Sequence, residues 1–143
     1  MMLRRIFLDT NVLLAASLSP DNITASALLV ALDGPYEVIV SNDVINEYLD
    51  KKTCSKFRKK EQVMTEFLDD IRPSLIVVET PKDPVPEECF IADGDDQPIL
   101  RAALSVNADV FVSGDNHFLN ARSQINTIEI ISPQEFFKRI LGR

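Results

Sequence analysis

The chain has 143 residues, which suits one domain built on one core, and its 45% hydrophobic and 26% charged content is ordinary for a globular protein. No apolar stretch reaches the roughly 18 residues of a membrane span, and the apolar run behind Arg4 and Arg5 is too short for a signal peptide. A cytoplasmic protein with no membrane partner is therefore expected, the doubled Met1-Met2 reading as a start-site artefact. A net charge of −7 weighs against coating nucleic acid by bulk electrostatics.

Residues 4–9 read as a short buried strand, and the alanine- and leucine-rich stretch 24–33 as a helix that Gly34-Pro35 ends. A second strand is predicted at 37–41. Ser41 or Asn42 can cap the helix that follows at 43–53. Residues 55–71 read as a further helix stopped by Pro73, and 75–78 as a strand. The proline-bearing stretch 79–94 reads as a loop with one short turn near 87–91. A helix is predicted over 96–107 with Pro98 in its first turn, then a strand at 109–113, a short helix at 116–121 and a strand at 128–131. Ser132-Pro133-Gln134-Glu135 opens the last helix with a capping box. This alternation argues for an α/β domain with three layers, a mainly parallel sheet flanked by helices.

The two cysteines, Cys54 and Cys89, lie far apart with no CxxC, which argues against a zinc site and a structural disulfide. His117 is the sole histidine, so nucleophilic catalysis through a Ser-His or Cys-His pair has a single candidate base.

The acids are better placed. Asp9, Glu47, Asp96 and Asp115 sit at strand ends or near helix starts, positions that converge over one crevice in an open α/β sheet. Four converging carboxylates repel one another unless a cation joins them. Mg²⁺ is the natural choice for oxygen ligands, and phosphodiester hydrolysis the natural chemistry. Each acid also has a plain structural reading. Asp9 can be a turn cap, Glu47 a surface residue beside an apolar stripe, and Asp115 part of a small polar turn. Asp43 is expected to cap its helix. Of the trio Asp93, Asp95 and Asp96, the last is read as the inward carboxylate, Asp95 as cap or support and Asp93 as outermost. Asn11 is expected to hold Asp9 or a nearby loop through its amide, and Ser113 to donate to a carboxylate or a phosphate oxygen. Gly114 is read as permitting a close approach or an unusual backbone angle. Lys51, Lys52, Lys56, Arg58, Lys59 and Lys60 supply six of the fifteen basic residues. They form a candidate RNA-contact strip, or simply a solvated helix face.

Four segments together resemble a PIN domain, the nuclease fold of many prokaryotic toxin–antitoxin toxins. They are Phe7-Leu8-Asp9-Thr10-Asn11-Val12-Leu13, Ser41 through Tyr48, Asp93 through Ala103, and Val112-Ser113-Gly114-Asp115-Asn116-His117-Phe118-Leu119. The resemblance spans roughly residues 3–140. It implies an endoribonuclease dependent on Mg²⁺ or Mn²⁺ that leaves 5′-phosphate and 3′-hydroxyl ends. The family's acids fall on Asp9, Glu47, Asp96 and Asp115, its polar residue on Asn11 and its small hydroxyl on Ser113. Many relatives carry another acid where this chain has His117. That change removes a fifth acid and either alters metal occupancy or places a base near the scissile phosphate; an ordinary surface histidine is the plain alternative. A basic antitoxin partner and a homo-oligomer such as a dimer also follow from the resemblance. A non-catalytic protein- or RNA-binding module of the same fold, and a small-substrate phosphatase, are the competing readings.

Overall fold

The computed structural model describes residues 3–19 and 21–142. Among these residues one all-parallel sheet is formed by β1 (Arg5–Leu8), β2 (Glu37–Ser41), β3 (Ile76–Val78), β4 (Val110–Val112) and β5 (Glu129–Ile131). The strand order is β3-β2-β1-β4-β5. Seven α-helices among the described residues flank it: α1 (Thr10–Leu18), α2 (Ile23–Asp33), α3 (Asn42–Lys52), α4 (Glu61–Ile71), α5 (Gln97–Ser105), α6 (Asn116–Ala121) and α7 (Pro133–Leu141). Neighbouring residues on a strand point to opposite faces. Ile6-Phe7-Leu8 and Val110-Phe111-Val112 are all buried, so helices cover both faces of the central strands. Phe7, Phe111 and Phe118 stack edge to face at 5.6 and 4.7 Å between ring centres, tying β1, β4 and α6 together. The edge strand β3 is more open, with Ile76 and Val77 exposed.

Helix α1 is absent from the sequence reading. Its buried residues, Thr10, Val12, Leu13, Leu14, Ala16 and Ser17, surround most of the helix instead of forming one stripe. A test for amphipathic spacing does not register such a helix. The predicted helix over 55–71 is two pieces. Ser55–Lys60 is a 3-10 helix with no buried residue, and α4 begins at Glu61, from which Met64, Leu68 and Ile71 reach the core. The basic run of the first piece offers no apolar face to hold a full α-helix. Asn107, at φ 53°, turns the chain from α5 toward β4, so that helix stops short of its predicted end.

Two contacts fix the approach to the carboxyl ends of the strands. Ser41 caps α3 by accepting from the Val44 N–H at 3.3 Å, leaving Asp43 to accept from Thr80 Oγ1 at 2.6 Å; the expected cap role of Asp43 is thus taken by Ser41. Asn42 also accepts from the Thr80 N–H, so the end of β3 is pinned to the start of α3. The loop after β3 holds a short 3-10 helix, Pro86–Phe90, close to the turn expected there. Its Glu88 is buried and receives the Arg101 guanidinium in a two-pronged pair, Nε to Oε2 at 2.9 Å and Nη2 to Oε1 at 2.8 Å. Arg101 Nη1 also donates to the Pro81 carbonyl at 2.9 Å, joining α5 to the start and the middle of the loop.

Removing one partner of a buried, forked pair strands the other charge. Arg101→Met is expected to lower unfolding free energy by about 3 kcal/mol in denaturant titration, and Arg101→Met with Glu88→Gln by clearly less. Equal losses in the two variants would show that the pair is not what holds the loop.

Candidate functional site

From β1 the chain steps outward through β2 to β3, then returns to place β4 on the other side of β1. The crossovers diverge at that reversal and open a crevice at the carboxyl ends of β1 and β4. Leu8 and Val112 are register partners, so Asp9 and Ser113 leave the sheet side by side. The Asp9 N–H donates to the Val112 carbonyl at 3.0 Å, continuing the ladder one residue further.

Asp9 is only 3% exposed. Its Oδ1 accepts from the Thr10 N–H at 2.8 Å, capping α1, and its Oδ2 accepts from Ser113 Oγ at 2.8 Å. Its carboxyl is pushed up to about 7: burial is the main cause, the hydrogen bonds from Ser113 and Thr10 offset part of it, and the charges of Asp96 and Glu47 add to it. Ser113 therefore donates to a carboxylate, one of the two roles expected of it. Its oxygen also accepts from the Asp115 N–H at 3.0 Å, so one hydroxyl links the two acids.

Asp96 occupies the N-cap position of α5 but makes no capping bond with its side chain. Its Oδ2 lies 3.1 Å from His117 Nδ1, and burial raises its pKa, countered by that contact and reinforced by Asp115 and Asp93. Asp115 caps α6 through the His117 N–H at 2.8 Å, and the same Oδ1 lies 3.4 Å from His117 Nδ1. Asp93 Oδ2 lies 4.0 Å from that nitrogen. The imidazole is held protonated to higher pH than usual, first by the Asp96 contact and then by the charge of Asp115. His117 therefore faces Asp93, Asp96 and Asp115 from an exposed position. Asp93, read as outermost, faces it, whereas Asp95 is exposed and contributes a backbone N–H to Asp93 Oδ1 at 2.9 Å.

Glu47 is half-buried on α3 and lies within the field of Asp9, with no hydrogen bond to it among the described residues. Asn11 does not hold Asp9; that role belongs to Ser113 and Thr10. The Asn11 side chain is on the exposed side of α1, lining a groove of about 380 Å³ with Leu14, Leu18, Lys51, Lys56 and Phe57. Gly114 has no left-handed backbone, and the nearest neighbour of an added Cβ would be Pro133 at 3.6 Å, so the turn does not require glycine. The basic strip is divided: Lys51 and Lys52 end α3, Lys52 donating to Thr65 Oγ1 at 2.7 Å, while Lys56, Arg58, Lys59 and Lys60 are exposed on the 3-10 helix.

The donor set fits a divalent cation. Arg5, Arg101, Arg122 and Arg139 are paired with Glu37, Glu88, Glu135 and Glu129, and among the described residues no lysine or arginine bridges Asp9, Asp93, Asp96 or Asp115. The carboxylates of this crevice thus face one another with a single imidazole between them. Thr10 Oγ1, in the residue after Asp9, is buried with no protein partner among the described residues. A hard cation with its water would neutralise the first group and could satisfy the second.

Comparison with known proteins agrees with this architecture. A family model described as PIN domain matches residues 5–117, and the chain belongs to that family. The fold is shared with FitAcB from Neisseria gonorrhoeae (19% identity, TM-score 0.64, covering 90% of this chain and 98% of that one). It is shared also with VapBC2 from Rickettsia felis, solved bound to a DNA fragment from their promoter (14%, TM-score 0.62, 90% and 98%). The PIN domain endonuclease Utp24 is a third (15%, TM-score 0.53, 90% and 84%). No curated protein matches the sequence.

The acid cluster carries a stability signature. A carboxyl raised in the folded state binds a proton there that the unfolded chain has already lost, so stability falls as pH rises. For Asp9 the window runs from about 4 to about 7. His117, raised as well, loses its contribution in the same direction above its ordinary range, and the lowered carboxyls of Glu88 and Glu135 act only at more acid pH. Chelator-treated protein is expected to lose on the order of 4 kcal/mol across the Asp9 window. Asp9→Asn should flatten most of that slope in denaturant titrations; an unchanged slope would mean that Asp9 is not the titrating group.

Proposed function

We propose that the chain is a divalent-metal-dependent endoribonuclease that hydrolyses RNA phosphodiester bonds, and that it serves as the toxin of a toxin–antitoxin pair. One observation carries the catalytic part. Asp9, Asp96 and Asp115 come from three separate segments to a single crevice, and no lysine or arginine bridges them among the described residues. Membership of the PIN family and the endonuclease assignment of Utp24 support the same reading.

In this reading Asp9, Asp96 and Asp115 would hold the ion, Mg²⁺ or Mn²⁺, and Glu47 would join through a water or help hold a second ion. A bound divalent ion supplies water activation and charge neutralisation at the phosphate. The residues of the chain orient and desolvate. Ser113 favours the ionised form of Asp9 by donating to it and keeps Asp115 in line through the backbone, so that the carboxylates present fixed oxygens. No side-chain nucleophile is needed. The strip Lys51, Lys52, Lys56, Arg58, Lys59 and Lys60 contacts RNA phosphates. The groove shared by Lys51, Lys56 and Asn11 supports this, because it places two of the strip's cations across from the helix that Asp9 starts. A basic antitoxin partner, self-association and a cytoplasmic site of action belong to the same proposal. The net charge of −7 favours the basic partner. No described helix alone is long and apolar enough to cross a membrane.

Two measurements test it. Asp96→Asn and Asp115→Asn, verified as folded by circular dichroism, are expected to cut RNA cleavage by at least about 100-fold, the loss typical when one charge-stabilising group is removed. Retained cleavage in both variants would refute the assigned centre. Lys59→Ala with Lys60→Ala is expected to lower the slope of log affinity against log salt for single-stranded RNA by about 1.4, and an unchanged slope would remove these residues from the RNA path.

A further inference from the structure

His117 lies at the exposed side of the acid cluster, and its Nδ1 faces three carboxylates, two from the turn that starts α5 and one from its own turn. The separations are 3.1 Å to Asp96 Oδ2, 3.4 Å to Asp115 Oδ1 and 4.0 Å to Asp93 Oδ2. One ring N–H satisfies one acceptor well and a second poorly, so three oxygens around a single nitrogen exceed what hydrogen bonding uses. The same spacings match a coordination shell. Ligand atoms about 2.1 Å from an octahedral ion lie about 3.0 Å apart when adjacent and about 4.2 Å apart when opposite. The ligand atoms of Asp93, Asp96 and His117 all fall within 4.8 Å of one another. The ring is held at this point by its own backbone, because the His117 N–H is the donor that Asp115 uses to cap α6.

We propose that His117 Nδ1 is a direct ligand of the divalent ion, joining the carboxylates of Asp9, Asp96 and Asp115, with Asp93 close by. The centre is then a mixed oxygen–nitrogen site that favours Mn²⁺ over Mg²⁺. Imidazole nitrogen is a softer donor than carboxylate oxygen. It adds little for Mg²⁺ and more for first-row transition ions, whose affinity for such sites rises from Mn²⁺ onward. This inference rests on the proposed metal centre, but not on RNA being its substrate.

The chain has one histidine, so any imidazole coordination is assignable without ambiguity. Untagged protein is loaded with Mn²⁺, and the bound fraction is counted by continuous-wave electron paramagnetic resonance. Pulsed measurement of nitrogen modulation on the bound ion then reads the first coordination sphere. Strong imidazole-nitrogen coupling is expected in the wild type and none in His117→Gln, with Mn²⁺ bound at least about tenfold more weakly in the variant, the lower end of losses seen even for residues that only support a ligand. His117→Asp, which restores a carboxylate, should bind both ions while narrowing the ratio of Mn²⁺ to Mg²⁺ affinity in competition. Stoichiometric Mn²⁺ without nitrogen coupling in the wild type would overturn the ligand role and leave the metal centre standing. Failure of the wild type to bind either ion would overturn both. An unchanged affinity ratio in His117→Asp would refute the selectivity.

Discussion

Mutual repulsion among carboxylates brought to one point in a parallel sheet is the constraint on which the arrangement turns. Asp9 is placed by covalent succession: it is the first residue beyond a strand whose last three members are wholly buried, so it cannot be swung out to water. Burying an unpaired carboxylate costs several kcal/mol, more than two hydrogen bonds recover. Thr10 and Ser113 therefore moderate the penalty without removing it, as the upward displacement of the Asp9 carboxyl shows. A protein that evolved only for stability would place an apolar residue or an amide here.

The surrounding structure keeps these acids from relaxing apart. Asp96 is held by the start of α5, which Arg101 anchors to Glu88 and to the carbonyl of Pro81. Asp115 is held by its own cap on α6, whose Phe118 stacks on Phe111 in the sheet. Each acid thus sits on a backbone segment fixed by contacts that do not involve the other acids. Packing, capping and one buried ion pair hold the carboxylates together against their own repulsion, and that strain makes the crevice receptive to a cation.

How far this was legible in the sequence depends on the kind of signal. The five strands are short apolar runs with turn residues at each end, so their places and the α/β class could be read directly. The convergence of Asp9, Asp96 and Asp115 followed from the position of each at an element boundary. What escaped is what lacks a period. Helix α1 is buried around most of its circumference, so it shows no polar face. The expectation that Asn11 holds Asp9 or a nearby loop overlooks α1, because on a helix an offset of two residues turns a side chain to another face. Asp96 could be read as the inward carboxylate because it begins a buried helix, but the order of Asp93 and Asp95 depends on the turn around Gly94, where the Asp95 N–H folds back onto Asp93 and the Asp95 side chain stays exposed. The position of His117 relative to the acids was equally a matter of tertiary geometry, since Asp96 lies 21 residues earlier in the chain.

The net charge of −7 is a poor guide to what an approaching polyanion meets. At physiological ionic strength charges are screened beyond about 8 Å, so the local pattern governs the final approach. Four of the six clustered cations are exposed on the 3-10 helix, and none of the six is in an ion pair among the described residues. Lys51 and Lys56 line the groove whose far wall is α1, the helix that Asp9 begins. The groove, with its two lysines, lies along α1, and the acid crevice lies where Asp9 starts that helix. A polyanion drawn to the groove would be turned away from the crevice by bare carboxylates and admitted once a cation reverses the local sign. Under the proposed metal-centre reading, loading of the metal would bear on both the chemistry and access to it.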